Sequence, residues 1–162
     1  MVCAGLAVGR ALDRETARTL GRELRRAKAV GVAVRALRHR DLSRRRLEER
    51  LAARGASPAA RADALGALER AGLVDDRRVA AGRALALAER GYGDAAIRAA
   101  LERDGLGAEL VDEALAGLEA EHLRARALVE RQGGGPRTLR RLAARGFDAD
   151  VLEDLAEFAE GA

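Results

Sequence analysis

The chain has 162 residues, enough for one ordinary domain or a short array of small units. Apolar residues make up 48%, mostly Ala and Leu, while aromatics are 2%; with β-branched residues sparse, this excludes a sheet-rich core and predicts an all-helical fold. The net charge of +4 is polarised, with 15 basic and 6 acidic groups in residues 1–54 against 15 and 20 in residues 55–162.

The opening MVCAGLAVGRALDRE has an apolar piece with no basic region ahead of it, so it is not read as a signal peptide. No apolar run reaches the length of a membrane span, which predicts no membrane association. Cys3 has no partner, excludes an intrachain disulfide and fits a reducing cytoplasm. Asp13 is placed to cap a helix that runs towards Arg40. On it Arg14, Arg18, Arg22 and Arg25 recur at steps of four, four and three, within about 80° of one another, with Ala17, Leu20, Leu24 and Ala27 opposite. Such a stripe either tracks phosphates or is a solvated face.

Beyond it the punctuation is regular. Ser43 caps a predicted helix to Arg54, Gly55 ends it in the left-handed conformation, and Ser57 with Pro58 starts the next, which stops near Gly72 and Leu73. In GLVDDRRVA, Asp75 sits where a further helix needs a side-chain oxygen, and Asp76 puts negative charge in its first turn. Asp94 is read as the next cap, after Gly91 and Gly93. Further helices are predicted near 94–104, 108–118, 120–132, 136–145 and 148–160, with QGGGP at 132–136 as a linker.

A spacing repeats through these elements. Leu51, Gly55, Leu65 and Leu68 are separated by four, ten and three residues, as are Leu101, Gly105, Leu115 and Leu118; Leu142, Gly146, Leu155 and Phe158 differ by one residue in the middle gap. Units too small to bury their own apolar faces are expected to stack. The pattern divides the chain into a basic helical extension (1–42), three-helix repeats at 43–92 and 93–135, and a third at 136–162 that lacks its last helix.

Little catalytic chemistry can be assembled. GYGDAA matches the glycines of a dinucleotide fingerprint but follows a helix rather than a strand, and a phosphate-binding P-loop needs a Gly-Lys-Ser/Thr that this chain does not contain. His39 and His122 sit in charged helices without ligand spacing, and Ser43 and Ser57 serve as caps. Adjacent helical residues such as Asp75 and Asp76 point about 100° apart, a poor metal pair beside Arg77 and Arg78. No catalytic, metal or cofactor residue is assigned. What remains is binding. Arg46, Arg50 and Arg54, widened by Arg44 and Arg45, form one basic face, and Arg137, Arg140, Arg141 and Arg145 form another. Either could meet a polyanion or an acidic protein groove, and a helix-turn-helix DNA-binding protein built across Gly55 is the competing reading.

Three stretches resemble the RecX family of bacterial regulatory proteins: LRHRDLSRRRLEERLAARG at 37–55, GLVDDRRVA at 72–80, and LAARGFDADVL at 142–152, which includes Phe147. GYGDAAIRAALERDGL resembles the family's second repeat, so the likeness covers about 37–160. Val79 stands where the family usually has Phe, and residues 1–36 match no part of the pattern. The resemblance implies an all-helical array of three-helix repeats that binds the RecA recombinase filament and restrains recombination and the SOS response; the chain is expected to be a monomer. It also implies DNA as a further partner of the basic helices.

Overall fold

The computed structural model describes residues 13–160; Cys3, the opening apolar stretch and the side chain of Phe158 lie outside what it describes. Nine helices and no strand occur among the described residues: α1 (Arg14–Leu37), α2 (Arg44–Ala53), α3 (Pro58–Arg70), α4 (Asp76–Glu89), α5 (Asp94–Arg103), α6 (Ala108–Ala116), α7 (Glu121–Gln132), α8 (Pro136–Ala144) and α9 (Ala149–Glu160). Four starts follow the expected chemistry, with Asp13, Ser43, Ser57 and Asp75 accepting from amides of their own first turns. Pro58 and Pro136 occupy the first turns of α3 and α8, where an absent N–H costs nothing. At α5 the cap is Gly93 rather than Asp94, which lies inside the first turn.

The helices bury their apolar faces in three separate cores. Ala29, Ala33 and Ala36 of α1 pack with Leu47 and Leu51 of α2 and with Ala64, Leu65 and Leu68 of α3. Val79, Ala80 and Ala84 of α4 pack with Ile97, Leu101 and Val111 of α5 and α6. Ala125, Leu128 and Val129 of α7 pack with Leu142, Phe147 and Leu155 of the last two helices. The units are therefore α1–α3, α4–α6 and α7–α9, and the substantial interhelix packing lies within them.

This phasing differs by one helix from the division at 43, 93 and 136. The spaced Leu and Gly residues mark the second helix, its turn and the third helix of each unit: Leu51, Leu101 and Leu142 are at most 1% exposed, and Gly55, Gly105 and Gly146 all have φ near +80° (76°, 81° and 80°). A repeating turn defines a period but not where the period begins. The long α1 is consequently no extension, since its second half is the middle of the first core, and the third unit is complete because α7 is its first helix. Leu73 is 48% exposed, and it is the adjacent Val74 that enters the core. Val79, in the position the family fills with Phe, is buried at 7%.

The N-terminal half of α1, up to Lys28, contributes nothing to the buried core and carries Leu24 at 53% exposure.

Candidate partner-binding surfaces

Two polar joints connect the units, and they absorb many of the arginines expected to face a partner. At the first joint the buried Ser43 hydroxyl donates to the Asp104 carbonyl, and the Arg44 backbone N–H donates to Asp76 Oδ1 at 2.7 Å. Asp104 also takes Arg46 at 3.1 Å and Arg83 at 2.6 Å. Arg44 pairs with Glu69 across 2.6 Å, Arg45 with Glu49 across 3.1 Å, and Arg78 with Asp41 across 3.2 Å. The Arg45 chain lies so close to Gly105 that a Cβ there would overlap it. Hydrogen bonds to Asp104 and then to Glu49 raise the Arg46 pKa, and hydrogen bonds from Arg45 and then Arg46 hold the Glu49 carboxyl below its ordinary range.

The paired aspartates thus have two different tasks. Asp75 accepts its own helix's amide at Arg78, 3.0 Å away, whereas Asp76 reaches across to the N-terminus of α2. One carboxylate caps within a unit and the other ties two units together.

The second joint repeats this scheme with different residues. Glu121, in the first turn of α7, accepts the Asp94 N–H of α5 at 2.6 Å through Oε1 and the Asp148 N–H at 3.3 Å through Oε2. Arg124 is 9% exposed and donates to the Glu119 carbonyl at 2.8 Å, the Tyr92 carbonyl at 3.0 Å and the Asp94 carboxylate. Its guanidinium stands 6.0 Å from the Phe147 ring centroid. Arg145 donates to the Arg90 carbonyl at 3.0 Å and lies 5.6 Å from the Tyr92 centroid. Backbone meets backbone between them: Gly93 N–H donates to Arg145 O at 2.9 Å and Ala95 N–H to Gly146 O at 3.2 Å.

The predicted basic residues therefore fall into two groups. Arg44, Arg45, Arg46, Arg78 and Arg145 serve the joints or their flanks, and Arg77 pairs with Glu113 within the second unit at 2.5 Å. Arg50 and Arg54 at the end of the first unit's middle helix, and Arg137, Arg140 and Arg141 on the third unit's middle helix, are exposed. Among the described residues none of these five has an ion-pair partner within 4 Å. Two basic faces on the first and third units survive as surfaces. Glu121, Arg124 and Asp104 were not distinguishable in the sequence, where each reads as one more charge on a solvated helix.

Three-helix units joined by repeating polar joints define an all-α helical-repeat protein with basic faces on its first and third units. No protein-family model matches the chain. It is 36% identical over 156 residues to the regulatory protein RecX of Xanthomonas axonopodis pv. citri, covering 90% of this chain and 96% of that one. It is 37% identical over 135 residues to RecX of Stenotrophomonas maltophilia R551-3, covering 77% and 80%. A crystal structure of regulatory protein RecX superimposes with a TM-score of 0.77 at 20% identity, over 94% of this chain and 83% of that one. RecX from Lactobacillus salivarius superimposes at 0.72 and 15% identity, over 85% and 98%. The chain belongs to the RecX family of regulatory proteins. No helix among its described residues is long and apolar enough to cross a membrane.

Proposed function

We propose that this protein is a cytoplasmic, monomeric regulator that binds the RecA recombinase filament along its groove and restrains its ATP hydrolysis, recombination and SOS activities. The observation that carries this reading is the retention of two unneutralised basic faces, Arg50 with Arg54 and Arg137 with Arg140 and Arg141, on separate units of one jointed array. Two such faces held apart fit a partner that is itself extended and anionic, whether through acidic protein surface or bound DNA. Membership among proteins named regulatory supports it, and the reading requires no catalytic residue.

The test is single-stranded-DNA-dependent ATP hydrolysis by the cognate RecA, with this protein titrated below one copy per recombinase. Suppression is expected, weakened about tenfold or more by Arg50→Ala with Arg54→Ala, and by Arg140→Ala with Arg141→Ala. Absence of suppression by the folded protein sinks the recombinase reading. An equal loss from Arg77→Ala, whose side chain is already paired, would reject the assignment of faces.

A further inference from the structure

A hollow of about 190 Å³ in the first unit belongs to neither joint. Arg25 and Lys28 of α1 and Arg54 from the end of α2 line it, together with Val32, Leu51 and Ala60. The three cations are exposed, whereas Leu51 and Ala60 are buried and Val32 is half-buried, so charge surrounds the mouth and aliphatic surface forms the floor.

The cations at the mouth keep their charge uncompensated. Arg44, Arg45, Arg46 and Arg61 of the same unit each have a carboxylate within 4 Å. Around the hollow, among the described residues, Arg25, Lys28 and Arg54 have none. Three uncompensated cations repel one another and raise the local potential for an incoming anion. The first turn of α3 opens onto the same space through Ser57 and contains no acidic residue, so the positive end of its dipole adds to that potential.

The floor distinguishes between anions. Bases of a single-stranded nucleic acid bind by stacking on aromatic rings, and no aromatic residue lines the hollow, Tyr92 and Phe147 being committed to the second joint. An aliphatic side chain next to a carboxylate suits both the floor and the mouth. We propose that this hollow is a docking site for an acidic, aliphatic peptide segment of a partner protein, with its carboxylates on Arg25, Lys28 and Arg54 and one aliphatic side chain on the floor. It shares Arg54 with a face named above but does not rest on the recombinase reading, because a short peptide tests it with no recombinase present.

Lys28 is the chain's only lysine, so an amine-acylating reagent has one side-chain target and the N-terminal amine serves as internal reference. The full chain is acylated in the presence of an end-capped peptide of alternating glutamate and leucine, or of the same peptide with glutamine for glutamate, and read by mass spectrometry. The acidic peptide is expected to slow Lys28 acylation at least about fivefold and saturably, with the N-terminal amine unchanged and no protection from the glutamine peptide. Anisotropy of the labelled acidic peptide is expected to show affinity weakened about tenfold or more by Arg54→Glu or Arg25→Glu, exposed positions that keep the helical circular dichroism intact. Absence of protection, equal protection by the glutamine peptide, or affinity unmoved by both charge reversals overturns the proposal. Protection by oligothymidylate at lower concentration than the acidic peptide also overturns it and makes the hollow a nucleic-acid surface.

Discussion

Gly93→Ala isolates the second joint, because nothing about the backbone of that residue requires glycine. Its φ is −81°, which any residue adopts, yet a Cβ there would fall within the carbonyl of Gly146 and against the Phe147 nitrogen. The obstructing atoms are main chain, tied to the second unit through Gly93 N–H to Arg145 O and Ala95 N–H to Gly146 O, so no rotamer change makes room. The units must separate at that point. Two backbone hydrogen bonds at about 1 kcal/mol each, plus part of the charge-assisted contacts of Arg124, put the loss at roughly 3 kcal/mol. At this chain length that is a shift of roughly 6–12 °C in the melting midpoint of a cooperative transition. Two controls separate the joint from generic glycine effects. Gly107→Ala meets nothing within 4 Å and, like Gly93, caps a helix, so it measures the Ala-for-Gly cost at a cap alone, about 1 kcal/mol or less. Gly55→Ala also meets nothing but is strained by its φ of +76°, at a cost of roughly 1–2 kcal/mol. Thermal circular dichroism gives the ranking, and hydrogen exchange at the Gly93 and Ala95 amides tests the mechanism. A Gly93→Ala protein within about 1 kcal/mol of the parent and with both amides still protected would refute the argument.

Three further outcomes follow from the same contacts. Glu121→Gln keeps the shape but removes the charge that serves two helix N-termini; a loss of about 1–2 kcal/mol by urea denaturation is expected, with faster exchange at Asp94 and Asp148, and unchanged exchange rejects it. Asp76→Ala should expose the Arg44 amide in the first unit while Asp75→Ala exposes that of Arg78, each for about 1 kcal/mol, and amide exchange resolved by residue tells the two tasks apart. The Asp13 carboxyl is held below its ordinary 3.8 first by the Thr16 backbone N–H and then by the Thr16 hydroxyl. A depressed folded value means this cap is fully effective above the ordinary pKa and is lost as pH falls through the folded one. Amide protection factors at Glu15 and Thr16, corrected for the slower intrinsic exchange at low pH, should therefore fall in acid, and Asp13→Ala should remove that pH dependence.

How legible these features were depended on how locally each is determined. Helix existence and type were readable throughout: the caps at Asp13, Ser43, Ser57 and Asp75, the prolines at 58 and 136, and the glycine stops act within one turn of chain. The recurrence of Leu51, Leu101 and Leu142 located the buried end of each middle helix. Side-chain roles were much less legible. Leu73 and Val74 are adjacent and both apolar, and only the exit direction from the Gly72 turn buries the second of them. Arg46 and Arg50 lie one helical turn apart in an Arg-rich helix, yet one faces Asp104, 58 residues away, and the other faces solvent.

By itself the sequence determined an all-helical chain, its turns and the period of its repeat, because propensity, capping and positive-φ glycine are properties of neighbouring residues. Tertiary structure decided where each unit begins, making α1 and α7 first helices, since that choice depends on which faces pack. It also decided which arginines are spent on the joints and which remain for a partner. Pairing of charges is a matter of distance in space, and residues 46 and 104, or 94 and 124, become neighbours only once the units have stacked.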